Sequence, residues 1–563
     1  MFGRSLVIAA RPAFASVDSN AADSLFAAVP LPGVMAAVVV VALSYGGAGP
    51  VPLFLAVASM AAIAWLQSDR ANVYIYLALL GVQFSGPDGL FTLPFRVAAS
   101  DFFLLPVIAR SAWAVLCGRR IRVESTMWLL LMALLVVMAI STIIGVVRTG
   151  QLAPWVWFNK GAGILFLVAG FWVLSAHLQS GRDVRRALGI FVAGASVANA
   201  FALLATIASL TVWPNPVFNI DSGRLFGWMF SPNSFGCLVT IAVLLELGRR
   251  HADRESSWVT VGRSVNIALL LLSIGITFAR SVWIGLAVGG LVLLVTQFID
   301  RRQEGWRWPV AVATCLTILA PAAGMAFVVS GQWQRVVQTI VDPGSRVTEL
   351  KTRLDEGNCS VEWDPELCSG VDRARFEELR AHRLARHASG SAPAPLPVAD
   401  VESAMMNSRG LDDRAAILAA GWGAYTETRL STALGIGLGT FYATSGAVLG
   451  IPAIIHNTGA WFLVEMGPLG LLVLIWILAR TAWSLWRVRA GTSQDADLAR
   501  GLLAALAFWV VVSMFNEAFY LRTLWLVLVC ADRLFVFDRA VLAYHSQPQP
   551  GTDNPHPEQG ATI

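Results

Sequence analysis

Residues 127–147 read MWLLLMALLVVMAISTIIGVV, a run without a charged side chain, and Arg119, Arg120 and Arg122 stand just ahead of it. As an α-helix rising about 1.5 Å per residue, a segment of this length crosses the roughly 30 Å hydrocarbon core of a bilayer. Comparable apolar runs recur from Pro32 to Phe535. They predict about fourteen spans, at 30–46, 50–67, 71–85, 100–116, 127–147, 155–177, 187–213, 225–247, 260–279, 281–299, 308–330, 457–479, 500–514 and 517–537. Composition agrees with this: 56% of the 563 residues are hydrophobic and 14% are charged, with a mean hydropathy of +0.64. Those values exclude a soluble globular protein of this length. The fold class expected is an all-α polytopic membrane protein of about 12–14 transmembrane helices.

Arginines gather in alternate short connections. They are Arg119, Arg120 and Arg122; Arg182, Arg185 and Arg186; Arg249, Arg250 and Arg254; Arg301, Arg302 and Arg307; and Arg487 and Arg489. By the positive-inside rule these connections are cytoplasmic. Those at 148–154, 214–224, around Arg280, 331–455 and around Asn516 are then external, and both termini are cytoplasmic. The chain divides into a cytoplasmic tail (1–27), the first part of a helix bundle (28–330), one large, partly helical external loop (331–455), the last three helices (456–537) and a disordered cytoplasmic tail (538–563). The first tail lacks the short apolar stretch and cleavage pattern of a secretory signal. Of the six cysteines, only Cys359 and Cys368 share a polar loop. They are the disulfide candidate, and an external loop is where such a bond would form.

An ionisable side chain within or at the edge of a span costs roughly 2.5–3.5 kcal/mol on insertion scales, so each one calls for a partner or a function. Lys160, Arg224, Arg280 and His456 stand out near the outer boundary. Arg224 opens the run RLFGWMFSPNSFG, in which Pro232, Asn233 and Gly236 mark a helix broken or capped near its outer end. Arg280 sits in the tight turn FARSVW (278–283). Either arginine reads as a snorkelling interfacial anchor or as a cation aimed at an anionic ligand. His456 and Asn457 stand where the large loop meets the next span. There the helix dipole disfavours an imidazolium, so His456 suits a general base, although a helix cap or hydrogen-bonding partner is the plainer reading. Glu465, nine residues on, reads as buried structural polarity. Asp412 and Asp413 read as a cap for a helix beginning near Arg414 rather than a metal pair. The stretch GIGLG (435–439) reads as a tight re-entry turn, since no Lys-Ser/Thr follows it. The 21 tryptophans read mostly as interfacial belts. No cofactor, metal or nucleic-acid partner is expected.

Taken in order, Arg-x-x-Gly (224–227), Ser-Pro-Asn-x-x-Gly (231–236), Ala-Arg-Ser (279–281), a long external loop ending in His456-Asn457, and Glu-x-Gly-x-x-Gly (465–470) resemble the O-antigen ligase and O-antigen polymerase family. The resemblance covers roughly Arg224 to Leu478. The segments 412–425 and 435–441 also look like that family's loop helix and glycine turn. The stretch 343–410 departs from the pattern, with a charged segment, the two cysteines and APAPLP (392–397).

The resemblance implies a glycan donor linked through diphosphate to a polyprenyl lipid at the outer leaflet of a bacterial inner membrane, with the site facing the periplasm. Arg224 and Arg280 would hold the diphosphate, with Lys160, Arg414 and Arg429 as further contacts. His456, oriented by Asn457 or a loop carboxylate, would take the proton of an acceptor hydroxyl. The acceptor would be a glycan, a lipid or a protein hydroxyl, which leaves ligase, repeat-unit polymerase and protein O-oligosaccharyltransferase open. A reading of another class is a lipid-glycan flippase or transporter, for which no internal repeat is found.

Overall fold

The computed structural model describes residues 50–82, 98–119, 127–150, 161–211, 218–219, 224–225, 232–249, 257–277, 279–300, 411–442, 454–490 and 494–545, with the single positions 39, 125 and 445. In chain order the described elements are α1 (Pro50–Leu66), α2 (Asp69–Val82), α3 (Asp101–Leu116), α4 (Trp128–Thr149), α5 (Gly163–His177), α6 (Gly181–Thr211), β1 (Phe218–Asn219), β2 (Arg224–Leu225), α7 (Pro232–Gly248), α8 (Ser257–Ile276) and α9 (Arg280–Asp300). They continue as α10 (Leu411–Thr426), α11 (Arg429–Leu434), α12 (Thr458–Val488), α13 (Gln494–Ser513) and α14 (Arg522–His545). The two short strands pair antiparallel, Phe218 opposite Leu225 and Asn219 opposite Arg224.

Twelve of the expected spans coincide with helices α1 to α9 and α12 to α14; those at 30–46, position 39 apart, and 308–330 lie outside the described residues. Among the described residues, six helices (α4, α6, α8, α9, α12 and α13) are long and apolar enough to cross a membrane. Helix boundaries moved where local chemistry was stronger than hydropathy. The helix expected from 187 begins at Gly181 because Ser180 Oγ accepts from the Asp183 amide (3.1 Å) and donates to its carboxylate (2.7 Å). The helix expected from 225 starts only at Pro232, since Arg224 and Leu225 are held in β2 and proline favours the first helical position. α14 continues through His545, past the boundary expected at 537.

Where the helices meet, glycine sets the spacing. A Cβ on Gly248 would lie 2.6 Å from the Gly501 Cα, and one on Gly194 would lie 2.2 Å from the Ala78 carbonyl oxygen. Such small-residue crossings let backbones approach without the aid of water-driven burial. α13 is buried along most of its length between α9, α7 and α12. The outward faces are apolar instead of polar: Leu129, Val147 and Trp258 are at least 80% exposed. A helix with an apolar stripe turned away from the core needs an apolar solvent.

The bundle has two chemically different ends. At one, basic side chains tie neighbouring connections together: Arg185 pairs with Asp495, Arg533 donates to the Leu178 carbonyl (2.9 Å), and Arg249 and Arg263 both hold Glu246 (2.9 and 2.8 Å). These residues belong to or flank the arginine-rich connections predicted to share one side. At the opposite end Arg522 forms a two-pronged pair with the buried Asp101, linking α14 to α3, and Arg148 at the end of α4 pairs with Glu427. The fold is that of an all-α membrane protein.

Candidate functional site

The end of the bundle that carries Arg522 also brings three of the singled-out segments together. The first is the start of α7. Pro232 opens the helix, Asn233 follows, and Gly236 leaves just enough room for Val282, whose methyl carbons would lie 3.0–3.1 Å from a Cβ placed there. The second is the turn between α8 and α9. Thr277 Oγ1 and Trp283 Nε1 both donate to the Ile274 carbonyl (2.8 and 3.0 Å), closing the turn and setting Arg280 as the first residue of α9. The third is the start of α12. Asn457 caps the helix through Oδ1, which accepts from the Ala460 amide (2.8 Å), while its Nδ2 donates to the Met514 carbonyl (2.9 Å). The Asn457 amide is therefore committed to the cap and to the turn between α13 and α14.

That turn, residues 514–518, joins the three segments. Thr458 Oγ1 donates to the Asn516 carbonyl and accepts from the Ala518 amide, both at 2.9 Å. The Asn516 side chain receives Asn233 Nδ2 on its Oδ1 and donates from Nδ2 to Ser281 Oγ, both at 3.4 Å. One residue thus connects the neighbour of Arg280, the Ser-Pro-Asn corner and the residue two positions after His456. His456 is partly buried. Arg280 is exposed and has no ion-pair or hydrogen-bond partner among the described residues. A cation at a helix N-terminus opposes the dipole, so its position does not serve the helix. Arg522, which also opens a helix here, differs in being neutralised by Asp101.

Beneath this face α12 is kinked. Gly467 has φ 72° and ψ −175°, and Pro468 follows, so the Val464 carbonyl loses the amide that would have closed its helical turn. The glycine turn supplies the missing donors: Ile436 N donates to the Val464 carbonyl (2.8 Å) and Gly437 N to the Glu465 carbonyl (3.0 Å), which also accepts from Ser141 Oγ of α4 (2.8 Å). The expected tight turn at 435–439 is real, with Gly435, Gly437 and Gly439 all at φ between 80° and 101°. It is a docking element: a Cβ at Gly437 would come within 2.3 Å of the Gly145 amide nitrogen. Glu465 is 1% exposed, and one carboxylate oxygen accepts from Trp461 Nε1 (2.6 Å) and from the Gly439 amide (3.0 Å).

Above it, α10 and α11 are joined by Tyr425, whose hydroxyl donates to the Thr432 carbonyl (2.8 Å) and whose burial raises its pKa above the usual phenol range. α10 begins at Leu411, so Asp412 and Asp413 fall inside its first turn. Arg429 is exposed at the start of α11, beside an open cleft of about 410 Å³ lined by Thr426, Glu427, Thr428, Arg429, Thr432 and Ala433.

Lys160, Cys359, Cys368 and the stretch 343–410 lie outside the described residues, as do the side chains of Arg224 and Arg414, although their backbones belong to β2 and α10. Leu225, next to Arg224, is fully buried, and β2 packs against α8, the helix that leads to Arg280. Asn516, Ser281, Thr458 and the Asp101–Arg522 pair were not expected from the sequence. An uncharged Asn in a short turn carries no signal until its neighbours are known, whereas Asp101 and Arg522 at opposite edges of apolar runs were a readable pair.

Fold and site together define a helical membrane protein with a polar cluster at one end of its bundle. No protein-family model matches the chain, and no curated protein matches it.

Proposed function

We propose that this chain is a metal-independent glycosyltransferase resembling the O-antigen ligases, moving a glycan from a polyprenyl diphosphate to an acceptor hydroxyl at the outer face of the inner membrane. The observation that carries the reading is the meeting, through Asn516, of the Ser-Pro-Asn corner, the Arg280 turn and the His456 helix start at one end of the bundle. An exposed guanidinium that opposes its own helix dipole is suited to an anionic ligand at headgroup depth. The arginine-tied end lies opposite, which supports an outward-facing site under the positive-inside rule.

In this reading the acceptor hydroxyl oxygen attacks the anomeric carbon as His456 takes its proton. The bond from that carbon to the diphosphate oxygen breaks, and the polyprenyl diphosphate leaves with the electron pair. Arg280 and Arg224 neutralise the charge gathering on it. Direct displacement inverts the anomeric configuration. The segment carrying α10 and α11, bound to α12 through the glycine turn, forms the wall on which the acceptor rests.

The test is transfer by purified full-length protein in proteoliposomes containing a polyprenyl-diphosphate oligosaccharide. His456→Ala is expected to lower the rate by about 10²- to 10⁴-fold, the usual worth of a general base. Full activity in a folded His456→Ala protein would overturn the mechanism. Envelope glycans of a deletion strain separate the acceptors: bare core with accumulated lipid-linked polymer marks a ligase, whereas core bearing one repeat marks a polymerase.

A further inference from the structure

We infer that Asn516 is a positioning residue for this transfer, setting the distance between the cation of α9 and the base at the start of α12; the inference rests on the glycosyl-transfer reading above. The three segments it touches lie 283, 235 and 58 residues away from it in sequence, measured to Asn233, Ser281 and Thr458. Among the described residues it alone is bonded to all three. Its amide is suited to the task because the two ends differ: Oδ1 receives the Asn233 amide while Nδ2 donates to the Ser281 hydroxyl and to the Val512 carbonyl at the end of α13, which ties α9 to the α13 turn. Ser281 is covalently next to Arg280, so the second bond fixes the first turn of α9. The Asn516 carbonyl acts on the other partner, holding Thr458 and with it the backbone that carries His456. Asn516 reaches Arg280 through Ser281 and His456 through Thr458, so the residue acts through others.

Removal of the amide therefore changes geometry more than binding. A displacement of about 1 Å between reacting groups is worth up to roughly 100-fold in rate. Asn516→Ala is expected to lower kcat about 10- to 100-fold in the proteoliposome assay, with the KM for the polyprenyl-diphosphate oligosaccharide and the thermal midpoint close to those of the unaltered protein. Ser281→Ala removes one arm and is expected to lower kcat as well. The double variant should be no slower than the slower single one, because both act through the same bond. Asn516→Ala combined with Ser59→Ala, a distant exposed serine bonded within its own helix, should show independent effects.

Unchanged kcat in Asn516→Ala, a rise confined to KM, or a multiplicative Asn516→Ala/Ser281→Ala pair would overturn the inference. Should Asn516→Ala fail to fold, Ser281→Ala and Asn233→Ala decide the matter: reduced kcat in both supports it, and wild-type kcat in both overturns it. His456→Ala in the same assay tells the two levels apart. If that variant is inactive while the Asn516, Ser281 and Asn233 variants are fully active, the positioning role alone is wrong. If it transfers at the wild-type rate, or the unaltered protein transfers nothing, the glycosyl-transfer reading and the role derived from it are both wrong.

Discussion

Replacing Glu465 by alanine removes an acceptor that is almost completely sealed from solvent. The lost carboxylate oxygen serves two buried donors, Trp461 Nε1 at 2.6 Å and the Gly439 amide at 3.0 Å. Hydrogen bonds to charged groups contribute about 1.5–3 kcal/mol each, and two are lost, so the variant should lose about 3–6 kcal/mol. Glu465→Gln keeps a carbonyl oxygen in the same place. Neutral bonds are roughly half as strong, so about half of that stability should remain. The measurement is a denaturing-detergent titration of micellar protein, followed by tryptophan fluorescence, with limited proteolysis reporting release of the 435–442 segment. Glu465→Ala within about 1 kcal/mol of the unaltered protein would refute the reasoning, as would a glutamine variant no better than alanine. A glutamine variant that is fully stable yet inactive in glycan transfer would show that the carboxylate is chemical and not a brace.

Three more outcomes are expected. Gly437→Ala should prevent folding, because its Cβ would meet the Gly145 backbone at 2.3 Å, whereas Gly150→Ala, also at a positive φ but in open space, should cost only about 1–2 kcal/mol; the yield of monodisperse protein for the first and the thermal midpoint for the second distinguish close approach from backbone conformation. Asp101→Leu or Arg522→Met alone should cost about 3–5 kcal/mol by leaving one charge buried, and the double variant should recover most of it; equal losses in all three by detergent titration would refute a charge effect. Arg280→Ala should leave the thermal midpoint unchanged, since the side chain is exposed and unpaired among the described residues, while raising the KM for a polyprenyl-diphosphate donor about tenfold or more; a stability loss with normal KM would count against it.

The helices were legible because hydropathy is a one-dimensional property: a run such as 127–147 needs no partner to declare itself, and α4 spans Trp128–Thr149. Boundaries were less legible wherever a side chain spoke for the backbone, as Ser180 and Asp183 do for α6. The proximity of three motif segments followed from sidedness and order, and α7, α9 and α12 do start at one end. What sequence could not supply was the residue that joins them. Asn516 works through two 3.4 Å contacts and a main-chain carbonyl, none of which has a compositional trace. Glu465 was read as buried polarity from its depth along the helix, but its dependence on Gly439 required the fold of the glycine turn.

The kink at Gly467 and Pro468 has a consequence for assembly. Two of its carbonyls, on Val464 and Glu465, take their donors from Ile436, Gly437 and Ser141. Until those groups arrive, a newly inserted α12 would expose unsatisfied carbonyls to lipid, at several kcal/mol each. During biogenesis this helix is therefore expected to settle only after α4 is in the bilayer and residues 435–439 have docked against it. A nascent chain stalled before that point should stay sensitive to membrane proteases.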